Sequence, residues 1–282
     1  MTIDLHAHSA ESDGTESPAE LMASAQRAGL DVVALTDHDT TRGWGAATEA
    51  AGGLGIGLVR GIEISCSRDG RSVHLLGYLF DPTYAGLLTE IGAARHARLT
   101  RMDAMVERMA ADGIPITIEK VRAHVAAGAT LGRPHLADAL VAAGLVPDRA
   151  AAFRDYLHDE SPYYVSHYAV DPVRGVGLVT AAGGVAVVAH PFTRSLGRSL
   201  DVDLVEEMAA AGMAGIEANH RDHGPEEVAR ALAVASAHDL IVTGSSDYHG
   251  TGKPNRLGEN STTPSALAAI LERATGVDHL PA

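Results

Sequence analysis

Histidine and carboxylate residues recur in this chain where an apolar run has just ended. His6 and His8 follow Ile3-Asp4-Leu5. In an extended segment, side chains two apart point the same way, so both imidazoles of His6-Ala7-His8 can reach one ion. Ser12-Asp13-Gly14 then forms a turn able to aim Asp13 back at the same place. Thr36-Asp37-His38-Asp39 closes a second apolar run. His38 is the expected ligand there, with Asp37 orienting it, and Asp39 or Thr40 serves as a helix N-cap. Glu63 stands inside Gly61-Ile62-Glu63-Ile64-Ser65. A carboxylate in such a run is costly unless it pairs with an arginine or binds metal. His74 lies within Ser72-Val73-His74-Leu75-Leu76, as a hydrogen-bonded core histidine or a further ligand. Ala189-His190-Pro191 and Ser246-Asp247-Tyr248-His249 complete the set, Asp247 and His249 again two apart. Nitrogen and oxygen donors without cysteine suit manganese, iron or zinc better than magnesium or calcium. The chemistry open to such a set is hydrolysis by a metal-activated water.

These residues need a scaffold that gathers strand ends. Short apolar strands are expected at Ile3–His6, Asp31–Thr36, Gly57–Ile64 and Ser72–Tyr78, with helices at Pro18–Gly29 and Thr41–Ala51 between them. From about Tyr84 to Tyr164 the chain turns Ala-rich and helical with no convincing β-run. The alternation then resumes, with strands at Gly184–Ala189, Gly215–Ala218 and Leu240–Gly244 and helices at about Val202–Ala211 and Pro225–His238. Alternating strands and helices predict a parallel α/β barrel, whose strand C-termini share one face. The expected organisation is a barrel domain of residues 1–83 and 165–282, with residues 84–164 inserted as a helical cap.

Bulk properties narrow the function. A net charge of −14 argues against long nucleic acid as a partner. One cysteine, Cys66, rules out an intrachain disulfide. No stretch reads as a membrane span or a secretory signal, so the expectation is a cytoplasmic protein without a membrane partner. Oligomeric state is not readable.

Taken in order, Asp4-Leu5-His6-Ala7-His8-Ser9, Asp13-Gly14, Thr36-Asp37-His38-Asp39, Gly61-Ile62-Glu63-Ile64-Ser65, Ala189-His190-Pro191 and Ser246-Asp247-Tyr248-His249 resemble the polymerase-and-histidinol-phosphatase (PHP) family, over roughly residues 2–260. Within it the chain is similar to stand-alone bacterial phosphoesterases of the nucleotide-phosphatase type. The resemblance implies a distorted (β/α)7 barrel holding two to three divalent ions, manganese first. It implies that His6, His8, Glu63 and Asp247 hold one ion, Glu63, His74 and His190 a second, and Asp13, His38 and His249 a third, with Glu63, Asp247 and His190 central to catalysis. The helical insertion resembles the small domain of these relatives, and its Gly132-Arg133-Pro134-His135 places Arg133 and His135 as candidate substrate contacts, Arg133 through a bidentate grip on phosphate. His220, after another strand, is a third candidate. The expected substrate is a small phosphorylated molecule of nucleotide type: a nucleoside 3′,5′-bisphosphate, a monophosphate or a short oligonucleotide end, ahead of histidinol phosphate. A C–N hydrolase of amidohydrolase type and a non-catalytic, metal-stabilised binding module are the rival readings.

Overall fold

Seven strands and ten helices follow one another in a computed structural model that describes residues 1–194 and 199–282. The strands are β1 (Ile3–Asp4), β2 (Val32–Leu35), β3 (Gly57–Arg68), β4 (Arg71–Tyr78), β5 (Val185–Val188), β6 (Gly215–Asn219) and β7 (Ile241–Gly244). They form one sheet in chain order. It nearly closes on itself, because Ala7 bridges Tyr248 and Ile3 accepts a hydrogen bond from Thr262 N–H. The result is a seven-stranded barrel wrapped by helices.

Strand alternation divides the core into two layers. Val33 and Leu35 face outward onto Leu21, Met22 and Ala25 of α1 (Pro18–Arg27) and Ala47 and Ala51 of α2 (Trp44–Leu54). Val32 and Ala34 face the barrel interior with Ile3, Leu5, Val59, Leu76 and Val187, where Leu267 and Ile270 of the last helix, Pro264–Arg273, join them. Burial of alternate residues on both faces is what a barrel strand requires, and it explains why these strands read as continuous apolar runs.

The wholly parallel sheet expected from the sequence needs one correction. β4 runs antiparallel to both β3 and β5. The cause is local. Asp69 and Gly70 join β3 to β4 with φ of 52° and 78°, and two consecutive positive φ values define the tight hairpin turn that Asp-Gly favours. β3 is also longer than expected, running unbroken to Arg68. The reversal has a functional result. The first half of β4, not its end, lies on the rim where the other strands finish, and His74 sits there opposite Ser65.

The helical segment contains α3 (Ala85–Ala111), α4 (Ile118–Arg122), α5 (Arg133–Ala142) and α6 (Arg149–Ala152), the last continuing into a π-helical turn at Phe153–Leu157. The first part of α3 packs on the barrel through Leu87, Ile91 and Ala94. From Met102 onward the helices enclose an apolar cluster of their own, built on Met105, Met109, Leu136, Leu140 and Leu157. Arg98 of α3 ties the two layers together, donating to Asp39 Oδ2 (3.0 Å) and to Ser65 Oγ.

Candidate metal centre

The loop after β1 is held by groups that the sequence offered for other roles. Asp37 accepts from Ser9 N–H (2.8 Å), Ser9 Oγ (2.6 Å) and Ser12 Oγ (2.7 Å). It therefore shapes the loop that carries Asp13 and does not orient His38. Gly14 is required here, since a Cβ would lie 2.4 Å from the His8 carbonyl oxygen. Asp39 caps no helix: the N-cap of α2 is Gly43, with no side-chain cap, and Asp39 instead accepts from Ser65 N–H (2.8 Å) and Arg98. Asp4, fully buried, accepts from Ser246 N–H (3.0 Å) and Gly258 N–H (2.9 Å), which fixes the loop bearing Asp247 against β1. Asp247 and His190 themselves adopt positive φ, 52° and 29°. Non-glycine residues rarely do so, and such strain gathers at functional sites.

All nine acid and histidine residues proposed as ligands meet at the rim. His6 Nε2 lies 3.0 Å from His8 Nε2, 3.2 Å from Glu63 Oε2 and 3.5 Å from Asp247 Oδ1. His8 Nε2 lies 3.0 Å from Glu63 Oε2 and 3.4 Å from Asp247 Oδ1. Four donors at about 2.1 Å from a tetrahedral ion stand about 3.4 Å apart, so these edges match a four-ligand cage. Glu63 divides its oxygens. Oε2 faces His6, His8 and His38, the last at 3.2 Å, while Oε1 faces His74 at 2.7 Å and His190 at 3.4 Å. A third group surrounds Asp13, with His249 at 3.2 Å and His8 and His38 at 3.8 Å. His8, Asp13, His38 and His249 converge closely enough to share an ion, and so do His6, His8, Glu63 and Asp247.

The donor set fits cations. Both oxygens of Glu63, Nδ1 of His38 and His74, and Nε2 of His249 are buried without a hydrogen-bond partner. Native interiors rarely tolerate such atoms unless an unseen water or ion satisfies them. Burial pushes the carboxyls of Asp13, Glu63 and Asp247 up, but the facing imidazoles and the Lys253 ammonium outweigh it and hold all three well below their usual range: His249 and His38 for Asp13, His38 and His74 for Glu63, Lys253 and His249 for Asp247. Burial drives His38 well below the ordinary imidazole value and takes His190 down to about 4, His220 and His74 adding to the fall at His190. Burial also lowers His6 and His8, but their carboxylate neighbours outweigh it, Glu63 and Glu217 raising His6 well above the ordinary value and Asp247 and Glu63 raising His8 to about 9, so a divalent metal binding there would displace protons.

The three candidate substrate contacts are spread differently. Arg133, on the first turn of α5, lines a groove together with Asp13, His38 and His74, and donates to Leu157 O (2.8 Å) and Asp159 Oδ1 (2.5 Å). His135 is buried, its Nδ1 accepting from Gly132 N–H (3.0 Å) as the cap of α5, and it is not among the described residues lining that groove. His220 reaches the centre: its Nε2 is 3.7 Å from Asp247 Oδ2 and its ring 5.0 Å from that of His190.

Two further residues, to which the sequence alone assigned no role, join the site. Lys253 donates to Asp247 Oδ2 at 2.7 Å. Glu217, fully buried in β6, lies 3.2 Å from His6 Nδ1 and accepts from His190 N–H (2.8 Å) and Ser245 Oγ. It stabilises the His6 tautomer that leaves Nε2 free to bind. A carboxylate behind a ligating histidine is worth about 10- to 100-fold in metal affinity or activity. We therefore expect Glu217→Gln to weaken metal binding by that order in a metal titration, with the fold retained. Unchanged affinity would show that Glu217 is only a core carboxylate. A local signal for Glu217 exists, since Gly215-Ile216-Glu217 repeats the pattern of Gly61-Ile62-Glu63.

Known proteins resemble this chain in sequence and fold. A family model described as the PHP domain matches residues 4–80. The chain is 35% identical to a 3′,5′-nucleoside bisphosphate phosphatase of Chromobacterium violaceum, covering 95% of this chain and 94% of that protein. It is 35% identical to a phosphoribosyl 1,2-cyclic phosphate 1,2-diphosphodiesterase of Eggerthella lenta, covering 89% and 95%. A solved structure of a protein from Bifidobacterium adolescentis, inferred to be a metal-dependent phosphoesterase, superposes with a TM-score of 0.94 at 43% identity, covering 97% and 96%. The chain belongs to the PHP-domain family, and its fold is that of the family's metal-dependent phosphoesterases. No helix of the described residues is long and apolar enough to cross a membrane.

Proposed function

We propose that this chain is a metal-dependent phosphoesterase that hydrolyses a phosphomonoester of a small nucleotide. The observation that carries the reading is Glu63, a buried carboxylate with each oxygen turned to a different group of histidines. His6, His8, Glu63 and Asp247 would hold one ion. Glu63, His74 and His190 would hold a second, and Asp13, His38 and His249 a third. Two to three ions, manganese first, would supply an acidified water and a positive field for the phosphate oxygens. The chain adds its own groups. Lys253 sits beside Asp247 with its ammonium directed into the centre, where it offsets negative charge on a phosphoryl oxygen. His220 Nε2, buried and without a hydrogen-bond partner, faces the same place and can hold a substrate oxygen. Arg133 gives the helical segment a guanidinium at the groove wall.

Phosphate release in the presence of manganese tests this. Nucleoside 3′,5′-bisphosphates and monophosphates are expected to be hydrolysed faster than histidinol phosphate, and an N-acyl amide is expected to release no amine. Amine release without phosphate release would restore the C–N hydrolase reading. Metal binding with turnover of none of the panel would restore the non-catalytic module.

A further inference from the structure

The helical segment also meets the metal centre from behind, at the loops that carry ligands. Two of these loops supply Asp13 and His249, whose side chains stand 3.2 Å apart. Asp13 lies between β1 and α1, and His249 lies after β7. Neither is on one of the seven strands, so the sheet alone fixes neither position. Glu63 and His74, by contrast, are held inside β3 and β4. A ligand on a loop is only as well placed as the contacts that hold the loop.

One side chain of the helical segment reaches both loops. Arg149 opens α6, whose N-cap Asp148 accepts from Ala151 N–H (2.8 Å). Arg149 Nε and Nη2 clasp Asp138 of α5 at 2.5 and 2.6 Å. Two parallel bonds of this kind fix the plane of the guanidinium, and the side chain is only 16% exposed. The third nitrogen, Nη1, is turned to the barrel. It donates to the Asp13 carbonyl oxygen (3.4 Å) and packs on Gly252, where a Cβ would lie 2.1 Å from it. Gly252 N–H donates in turn to the His249 carbonyl oxygen (3.2 Å). One guanidinium thus stands between the backbones that present two members of the same ligand group.

The Asp13 loop is held from two sides. From the barrel, Asp37 takes Ser9 and Ser12. From the helical segment, Thr130 N–H donates to Glu11 O (2.9 Å) and Arg149 to Asp13 O. Arg42 bridges the two sides, its Nε donating to Glu11 Oε2 (3.2 Å) and its Nη2 to Ala127 O (3.4 Å). Arg149 is the member of this set that also meets the His249 loop. Asp13 stands 3.8 Å from His8 and His38, wider than the edges of the cage around His6 and Glu63. This group therefore has the least margin for a shift of its loop.

We infer that Arg149 is a positioning residue of the metal centre. Anchored by Asp138, it clips the helical segment to the loops of Asp13 and His249 and sets the affinity of the ion that these ligands share. The helical segment therefore helps to build one metal position, besides walling the groove. This rests on the proposed assignment of Asp13, His38 and His249 to one ion.

Manganese titration of the metal-free full chain, followed by calorimetry and by metal content, tests this without any substrate. Asp13→Asn identifies the ion in question as the one whose binding it weakens. Arg149→Gln is expected to weaken that same ion by about 10- to 100-fold, the range for a group that supports a ligand, and to leave the other ions within about twofold. Asp138→Asn keeps the arginine but removes its anchor. It should move the same ion in the same direction, and it carries the test if Arg149→Gln does not fold. Adding Arg149→Gln to Asp13→Asn should weaken binding no further, because coupled residues do not act additively. Arg149→Lys should recover only part of the loss, since an ammonium cannot reproduce the planar fork. Wild-type affinities in both Arg149→Gln and Asp138→Asn overturn the inference. Equal weakening of every ion also overturns it, because Arg149 would then be a general prop of the fold. Wild-type binding in Asp13→Asn overturns the assignment of that ion, and the inference with it.

Discussion

Replacing Glu63 by Gln is expected to lower turnover by more than about 100-fold and to strip ions from more than one position. The lower bound follows from the smaller perturbation. Removing a carboxylate that merely supports a ligand costs up to about 100-fold, and Glu63 stands among the ligands themselves, facing five histidines through two oxygens. An amide keeps the shape but removes the charge, and it turns one oxygen into an N–H donor aimed at imidazole nitrogens. Whichever way it is placed, both groups lose the negative charge and one of them also loses its oxygen donor. Metal analysis beside single-turnover kinetics checks the result. Wild-type metal content with a loss confined to folding stability would reduce Glu63 to an ion-pair partner in the core.

Removing the ions from the wild-type protein is expected to abolish turnover and to lower the melting temperature. The protein as purified should carry two or three divalent ions per chain, and manganese should restore activity after chelation. The stability effect has a clear origin. Without bound metal, Asp13, Glu63 and Asp247 face one another's charge across a buried cluster, offset by Lys253 at Asp247 and by histidines of which burial drives His38 and His190 down. Ligand at 100 times its dissociation constant stabilises by about 2.7 kcal/mol. At about 2–4 °C per kcal/mol for a chain of roughly this size, the shift per ion is roughly 5–10 °C. Calorimetry with and without chelator measures it. Full activity in metal-free protein would sink the assignment of the centre.

The rim of candidate ligands is legible in the chain because its residues break a pattern. A His or Asp directly after an apolar run, or a Glu inside one, is costly to bury alone, so each such position implies a partner from local sequence alone. His6, His8, His38, His190 and His249 all carry that signal, and so do Glu63 and Asp247. Glu217 carries it too, in the same Gly-Ile-Glu setting, yet without a neighbouring motif it reads as an ordinary strand residue. The antiparallel course of β4 is also written locally, in Asp69-Gly70, but the rhythm of parallel strands on either side hides it.

Other roles depend on contacts that no local pattern encodes. Asp37 and Asp39 flank His38, yet one shapes the Ser9–Gly14 loop and the other anchors α3 through Arg98. His135 sits in a promising motif and spends its Nδ1 on a helix cap. Arg149 looks like any arginine at a helix start. What distinguishes it is that its guanidinium joins Asp138 to the Asp13 loop, and pairing is a property of the assembled molecule. Local sequence settles which residue types stand at strand ends, and so the chemistry of the centre, because strand periodicity and the cost of burying polar groups act over a few residues. Which of the remaining charges are paired inside the protein, and by what, is settled only in three dimensions. It depends on partners dozens of residues away, brought together by the closing barrel and the helices above it.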